Sequence, residues 1–179
     1  MENFHGTTIV AVRRNGQTVV AGDGQVTLGS AVVKHGARKV RRIYKDRIVV
    51  GFAGATADAL TLSEKLEAKL EAFGGNLTRA AVELARDWRT DRMLRRLEAM
   101  MIAASSESIY LLSGTGDIIE PDSGVIAIGS GSVAAQAAAE ALFRHTEKTA
   151  REIAENAMEI AAGLCVYTNA QFTIEEISG

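Results

Sequence analysis

An antiparallel, layered α+β protein is what this sequence predicts, and three observations carry that prediction. Its strand-like segments come as hairpin-joined sets, its helical segments come as two adjacent pairs, and no linker, internal repeat or low-complexity tract interrupts the 179 residues. Helices set apart from strands that return on themselves point away from a doubly wound parallel sheet, where strand and helix alternate one for one. With 47% hydrophobic residues, the length suits a single domain with a substantial core.

Residues 7–12 (Thr-Thr-Ile-Val-Ala-Val) read as the first strand, and Asn15-Gly16 is the strongest short hairpin signal in the chain. Residues 17–21 return as the second strand and end in Gly22-Asp23-Gly24-Gln25, where two glycines let the backbone turn sharply around one carboxylate. Residues 26–33 are looser. Residues 39–44 and 47–52 form a further hairpin around Lys45-Asp46, closed by Gly51-Phe52-Ala53-Gly54. A helix is predicted over residues 56–73, with Leu60, Leu62, Leu66, Leu70 and Phe73 near helical spacing and Gly74-Gly75 as its stop. Asn76 suits the cap of a second helix, in which Leu77, Ala81, Leu84, Trp88 and Leu94 recur at helical intervals. Strands are expected at residues 100–104, 108–113, 117–120 and 125–128, helices at 133–144 and 149–164, and a last strand near 171–177.

Composition excludes several classes of function. A formal charge of −2 exerts no general pull toward nucleic acid or an anionic membrane. No apolar run reaches the roughly 20 residues of a membrane span, and the first residues lack the basic-then-apolar pattern of a signal peptide. The single cysteine, Cys165, has no internal disulfide partner, which fits a reducing compartment, and the expected location is the cytoplasm. The second helix carries Arg79, Arg86, Arg89, Arg92, Arg95 and Arg96, but Glu83, Asp87, Asp91 and Glu98 interleave with them, so it reads as a solvated or subunit-contacting face.

Two motifs point to chemistry that the rest of the chain does not support. Gly129-Ser-Gly-Ser-Val-Ala134 has the dinucleotide spacing between a strand and a helix, yet about 20 residues on, where an acidic residue should end the next strand, the chain is helical near Glu152. Cys165 lacks a patterned histidine among His5, His35 and His145, and those three make no recognisable metal spacing. The opening His5-Gly6-Thr7-Thr8 is more informative. If residues 1–6 are a leader, Thr7 becomes a nucleophile and base in one residue: its hydroxyl attacks a carbonyl and its α-amine, which ordinarily titrates at about 7.7–8.0, accepts the proton. Met1 precedes Glu2, so trimming the initiator alone would not expose it. The plain alternative is a pair of β-branched residues starting a strand. Asp23, Lys39 and Ser130 are each uninformative alone.

Taken with their neighbours they become specific. Thr7-Thr-Ile-Val, Arg13-Arg-Asn-Gly, Gly22-Asp-Gly-Gln, Ala37-Arg-Lys-Val-Arg, Gly51-Phe-Ala-Gly, Arg86-Asp-Trp-Arg-Thr-Asp, Ile128-Gly-Ser-Gly and Cys165-Val-Tyr-Thr-Asn resemble, in order and from His5 almost to the end, the HslV (ClpQ) peptidase family, relatives of proteasome β subunits. The resemblance implies an N-terminal-nucleophile hydrolase fold, a four-layer αββα sandwich with two antiparallel sheets. It implies a threonine-type endopeptidase in two stacked hexameric rings, fed with unfolded proteins by the AAA+ unfoldase HslU. That partner would bind the ATP, since this chain shows no Walker A motif. Residue by residue, it implies Thr7 as the nucleophile released behind Gly6, Asp23 and Lys39 as the buried polar pair beside it, Ser130 as a proton-shuttling hydroxyl, and the Gly51 N–H as oxyanion donor. It further implies a sodium ion on the backbone carbonyls of Ala162, Cys165 and Thr168. Relatives usually have glycine at position 162, so the ligand requires a backbone there that alanine can adopt. A second reading keeps the fold but makes the chain a catalytically silent ring subunit that never loses its leader.

Overall fold

The computed structural model describes residues 4–94 and 99–179, so residues 1–3 of the leader, and Arg95, Arg96 and Glu98 of the charged helix face, lie outside the described residues. The predicted first hairpin is β2 (Thr8–Arg14) with β3 (Gln17–Asp23), and Asn15 and Gly16 supply the two left-handed residues of its turn, at φ 51° and 77°. β11 (Val125–Gly129) and β12 (Phe172–Ser178) flank them in a four-stranded antiparallel sheet of order β11-β2-β3-β12. A second antiparallel sheet runs β10 (Ile118–Ile119), β9 (Ile109–Ser113), β8 (Ala99–Ala104), β7 (Ile48–Gly54), β6 (Val40–Ile43).

Strand alternation decides how these sheets stack. Ile9, Ala11 and Val20 of the first sheet face Val49, Ala53, Ile102 and Ala104 of the second and fill the space between them. Val10, Val12, Val19 and Ala21, pointing the other way, pack under α3 (Ser132–His145) and α4 (Ala150–Leu164), whose contact residues are largely alanines that admit close approach. On the far side, Val50, Phe52, Met101 and Ala103 pack under α1 (Thr56–Ala72) and α2 (Leu77–Thr90) around Leu62, Leu66, Leu84 and Trp88. The result is four layers, helix on sheet on sheet on helix.

Local signals account for most boundaries. The Asn76 carboxamide oxygen accepts the Arg79 N–H at 3.0 Å, capping α2 as expected. α2 nonetheless ends four residues before Leu94, because the Asp91 carboxylate captures the Met93 and Leu94 N–H groups and ends the helical ladder. Leu94 still reaches the core beyond the helix.

A third, small sheet has no counterpart in the sequence prediction. The loose segment 26–33 resolves into β4 (Val26–Leu28) and β5 (Ala31–Lys34), turned at Gly29 with φ 56°, and the leader adds β1 (Phe4–His5) to β4 with Phe4 opposite Leu28 and His5 opposite Thr27. β5 is exposed throughout and the buried residue of β4 is the polar Thr27, so neither strand shows the apolar alternation that makes strands legible in sequence. No helix among the described residues is long and apolar enough to cross a membrane.

Candidate active site

β1 runs straight into a cleft of about 970 Å³ whose wall includes Gly6, Thr7, Lys39, Ala53, Gly54 and Ser130. Thr7, Asp23, Lys39 and Ser130, scattered over more than 120 residues of sequence, are gathered there because β2, β3 and β11 are adjacent strands and β6 starts beside them. The Gly6–Thr7 peptide bond is the centre of the arrangement. Thr7 Oγ1 donates to the Gly6 carbonyl oxygen at 2.5 Å, and Lys39 Nζ donates to the same oxygen at 2.8 Å. Two donors on one carbonyl draw electron density from its carbon, which is what attack on that carbon requires.

Lys39 is held by three acceptors: Gly6 O, Gln25 O at 2.5 Å and Asp23 Oδ1 at 3.0 Å. Burial pushes its pKa down from the ordinary lysine value of 10.5, against the opposing pull of the Asp23 charge and hydrogen bond. Asp23 is 1% exposed and satisfied on both oxygens, Oδ1 accepting also from Thr8 N–H at 2.8 Å and Oδ2 from Gln25 N–H at 3.0 Å and Asn169 N–H at 3.3 Å. Its carboxylate therefore anchors Thr8 and Lys39 together.

The Ser130 N–H donates to the Thr7 carbonyl at 2.7 Å, which fixes the Thr7 backbone, while the exposed serine side chain lies on the cleft wall. Gly129 makes that approach possible: φ is 96° and a Cβ there would stand 2.0 Å from the Thr7 carbonyl oxygen.

Gly51, unlike Thr7, Lys39 and Ser130, does not line the cleft, and unlike Asp23, which bonds Lys39, it has no side chain to reach a residue that does. It sits mid-strand in β7, paired with Val40 and Ile102, and a Cβ added to it would meet Ile9 at 2.6 Å in the space between the sheets. The cleft wall is built by the next residues, Phe52 to Ala55. Along an antiparallel strand the N–H groups alternate in direction. Phe52 N–H donates to Lys39 O at 3.0 Å, so the N–H of Gly54, two residues on, points toward the same edge, beyond the start of β6. The sequence misled because Gly51 and Gly54 are both glycines of one short motif, and only strand register separates them.

Of the three carbonyl positions expected to hold sodium, Ala162 lies inside α4, Cys165 caps it, and Thr168 follows in the next turn, with Thr168 N–H donating to Cys165 O at 3.1 Å. Ala162 is in ordinary helical backbone, so alanine costs nothing there relative to glycine, and carbonyls at a helix C-terminus carry partial negative charge and lack intrahelical partners. The donor set suits a hard monovalent cation. Among the described residues no three His, Cys, Asp or Glu side chains group as metal ligands.

Several residues of the site stand in the quoted motifs, but sequence alone assigns them no role. The Gln25 side chain, 6% exposed, ties Thr27 Oγ1 at 3.0 Å to Val166 O at 2.9 Å. Thr8 Oγ1 pairs with Thr168 Oγ1 at 2.7 Å and accepts the Gly131 N–H at 3.0 Å, linking the residue after the nucleophile to the loop after α4. Asn169 reaches Asp23, Gly24 and His35. Partners about 120 to 160 residues away cannot be found by local pattern.

Known proteins resemble this chain along nearly its whole length. The family of proteasome subunits matches residues 3–177. The chain is 62% identical over 173 residues, 97% of each chain, to the ATP-dependent protease subunit HslV of Syntrophobacter fumaroxidans. The crystal structure of eukaryotic HslV from Trypanosoma brucei superposes with a TM-score of 0.92 at 49% identity, covering 96% of this chain and 99% of that one.

Proposed function

This chain belongs to the proteasome-subunit family, among the relatives of HslV, and from that membership we propose that it is the threonine-type endopeptidase subunit of a two-component, ATP-dependent protease. The observation that carries the reading is the convergence of Thr7 Oγ1 and Lys39 Nζ on one peptide carbonyl, with Asp23 behind the lysine.

In the full-length chain that carbonyl belongs to the leader. Thr7 Oγ attacks the Gly6 carbon, the Gly6–Thr7 C–N bond breaks, and the hydroxyl proton passes to the departing nitrogen, leaving the leader as an ester on Thr7 Oγ. Water then hydrolyses the ester, releasing residues 1–6 with a carboxylate and leaving Thr7 with a free amine. In the mature protein the same hydroxyl attacks a substrate peptide carbonyl, its proton taken by the α-amine and passed to the leaving amine, and water resolves the acyl-enzyme. Lys39, as a cation, lowers the cost of the developing alkoxide and keeps the amine neutral, and Asp23 holds Lys39 in place. Ser130, on the same cleft wall, would relay a proton beside the amine through its hydroxyl. The oxyanion donor is the Gly54 N–H in place of the expected Gly51, by the strand alternation above.

Substrates are unfolded proteins, delivered by the AAA+ unfoldase HslU, and the chain acts in the cytoplasm as a ring-forming homo-oligomer of two stacked hexamers. Supporting the assembly, Met93, Val133, Leu164 and Val166 are left strongly exposed, the kind of apolar surface that subunit contacts bury. A sodium ion on the carbonyls of Ala162, Cys165 and Thr168 would offset the negative end of α4 and brace the loop that meets Thr8. At constant ionic strength, replacing tetramethylammonium chloride with sodium chloride is expected to raise the melting temperature of the assembled protein; indifference to sodium would remove the ion from this account.

The test of the whole reading is the intact mass of the purified protein beside its hydrolysis of a fluorogenic peptide. Loss of residues 1–6 together with activity is the expected result. Activity from a chain that keeps its leader would sink the threonine mechanism, and an inactive full-length chain would favour the silent ring subunit.

A further inference from the structure

Three segments of chain meet behind the catalytic lysine. The end of β3 carries Asp23 and Gly24, residues 35–37 lead directly into Lys39, and the loop after α4 brings Asn169 between them. The first two already touch closely: Ala37 N–H donates to Gly24 O at 2.9 Å, and a Cβ on Gly24 would stand 2.2 Å from the His35 carbonyl oxygen. What joins all three is the Asn169 carboxamide. Its Oδ1 accepts the Gly24 N–H at 3.2 Å and the Gln171 N–H at 3.1 Å, and its Nδ2 donates to His35 O at 2.9 Å. The backbone N–H of the same residue donates to Asp23 Oδ2.

We propose that Asn169 is a positioning residue of the peptidase reaction, whose side chain sets the distance between Asp23 and Lys39 by tying the end of β3 to the segment that carries the lysine. The inference rests on the threonine-peptidase reading. Asn169 touches neither Thr7 nor the scissile carbonyl; it acts through Lys39. The donors and acceptors are matched so that only a carboxamide serves: one face must accept from two N–H groups while the other donates to a carbonyl. A lysine whose three acceptors lie at 2.5–3.0 Å loses effect when the segment beneath it drifts, because a cation acts on a developing alkoxide only at close range.

Two variants of the full chain test this, Asn169→Ala and Asn169→Asp, assayed on a fluorogenic peptide with the unfoldase and ATP in every sample. Asn169→Asp keeps the acceptor for Gly24 and Gln171 but sets a charged oxygen against the His35 carbonyl in place of the donor, so it breaks the tie to the lysine segment while the local turn keeps its acceptor. Both are expected to lower kcat about tenfold to a hundredfold with KM within about threefold, since small misplacements at a catalytic group cost that much. The alkaline limb of kcat, set by Lys39 with Asp23 as the charge facing it, should move up in pH as the lysine becomes better solvated. This limb is read in Asn169→Ala alone, because the carboxylate added by Asn169→Asp would itself raise the Lys39 pKa. Retention of kcat within about threefold by either variant overturns the proposal. So does an unmoved alkaline limb, or loss of assembly and cooperative melting along with activity, which would make the residue merely structural. Parallel assays of the parent chain and Thr7→Ala keep the two readings apart: an inactive parent, or an active Thr7→Ala, is a failure of the peptidase reading and not of Asn169.

Discussion

Thr7→Ala is expected to abolish peptide hydrolysis and to leave the leader in place, two losses from one substitution. In the proposed mechanism the hydroxyl attacks in both reactions, first the Gly6 carbonyl it already faces and then substrate. Removing a catalytic nucleophile costs on the order of 10⁴- to 10⁶-fold in kcat, which places the residual rate at background. The fold should survive, because what anchors residue 7 is its backbone: the carbonyl bonded by Ser130 N–H, and the following Thr8 N–H on Asp23. Rings of full-length mass with no activity are therefore the expected product, and Thr7→Ser, which keeps an attacking hydroxyl, should restore both processing and turnover in part. Detectable processing in Thr7→Ala would assign leader removal to another protease.

The fold was legible wherever local chemistry decides it. Asn15-Gly16 announces a tight hairpin because both residues tolerate positive φ, and Asn76 announces a helix start because its side chain can accept an orphan N–H. Alternating apolar residues such as Ile9, Val10, Ala11 and Val12 are explained once two sheets and two helical layers compete for their opposite faces. That Thr7, Lys39 and Asp23 belong together was legible only through the motifs around them, since each read alone is an ordinary strand, surface or turn residue. What local reading could not reach depends on distant partners. The pairing of the leader with β4, the Gln25 and Asn169 hydrogen bonds across more than 140 residues, and the register that puts Gly54 and not Gly51 at the cleft are set by tertiary contact alone.

Lys39→Met should nearly silence the enzyme while changing stability far less, and pH separates the two effects. Methionine fills the lysine stem's space without the charge, so the alkoxide and the Gly6 carbonyl lose their cation, a loss of about 10²- to 10³-fold in rate for one preorganised donor. Breaking a buried ion pair usually costs about 3–5 kcal/mol, because a charge is left without its partner. Here the Asp23 carboxylate keeps three backbone N–H donors, from Thr8, Gln25 and Asn169, so the cost should fall below that range. In the parent protein burial lowers the Lys39 pKa below 10.5, the value it regains on unfolding. Between the two values the unfolded chain binds more protons than the folded one, so stability attributable to this group rises with pH across that window. Activity does the reverse: it climbs as the Thr7 amine deprotonates, at lower pH than an ordinary α-amine because the Lys39 cation stands beside it, then falls as Lys39 loses its proton. The stability difference between parent and Lys39→Met, followed by denaturant unfolding from pH 7 toward 11, should therefore widen while parental kcat declines. A difference that stays flat across that window would mean that Lys39 titrates as an ordinary exposed lysine, and a Lys39→Met enzyme with near-parental turnover would remove the cation from the mechanism altogether.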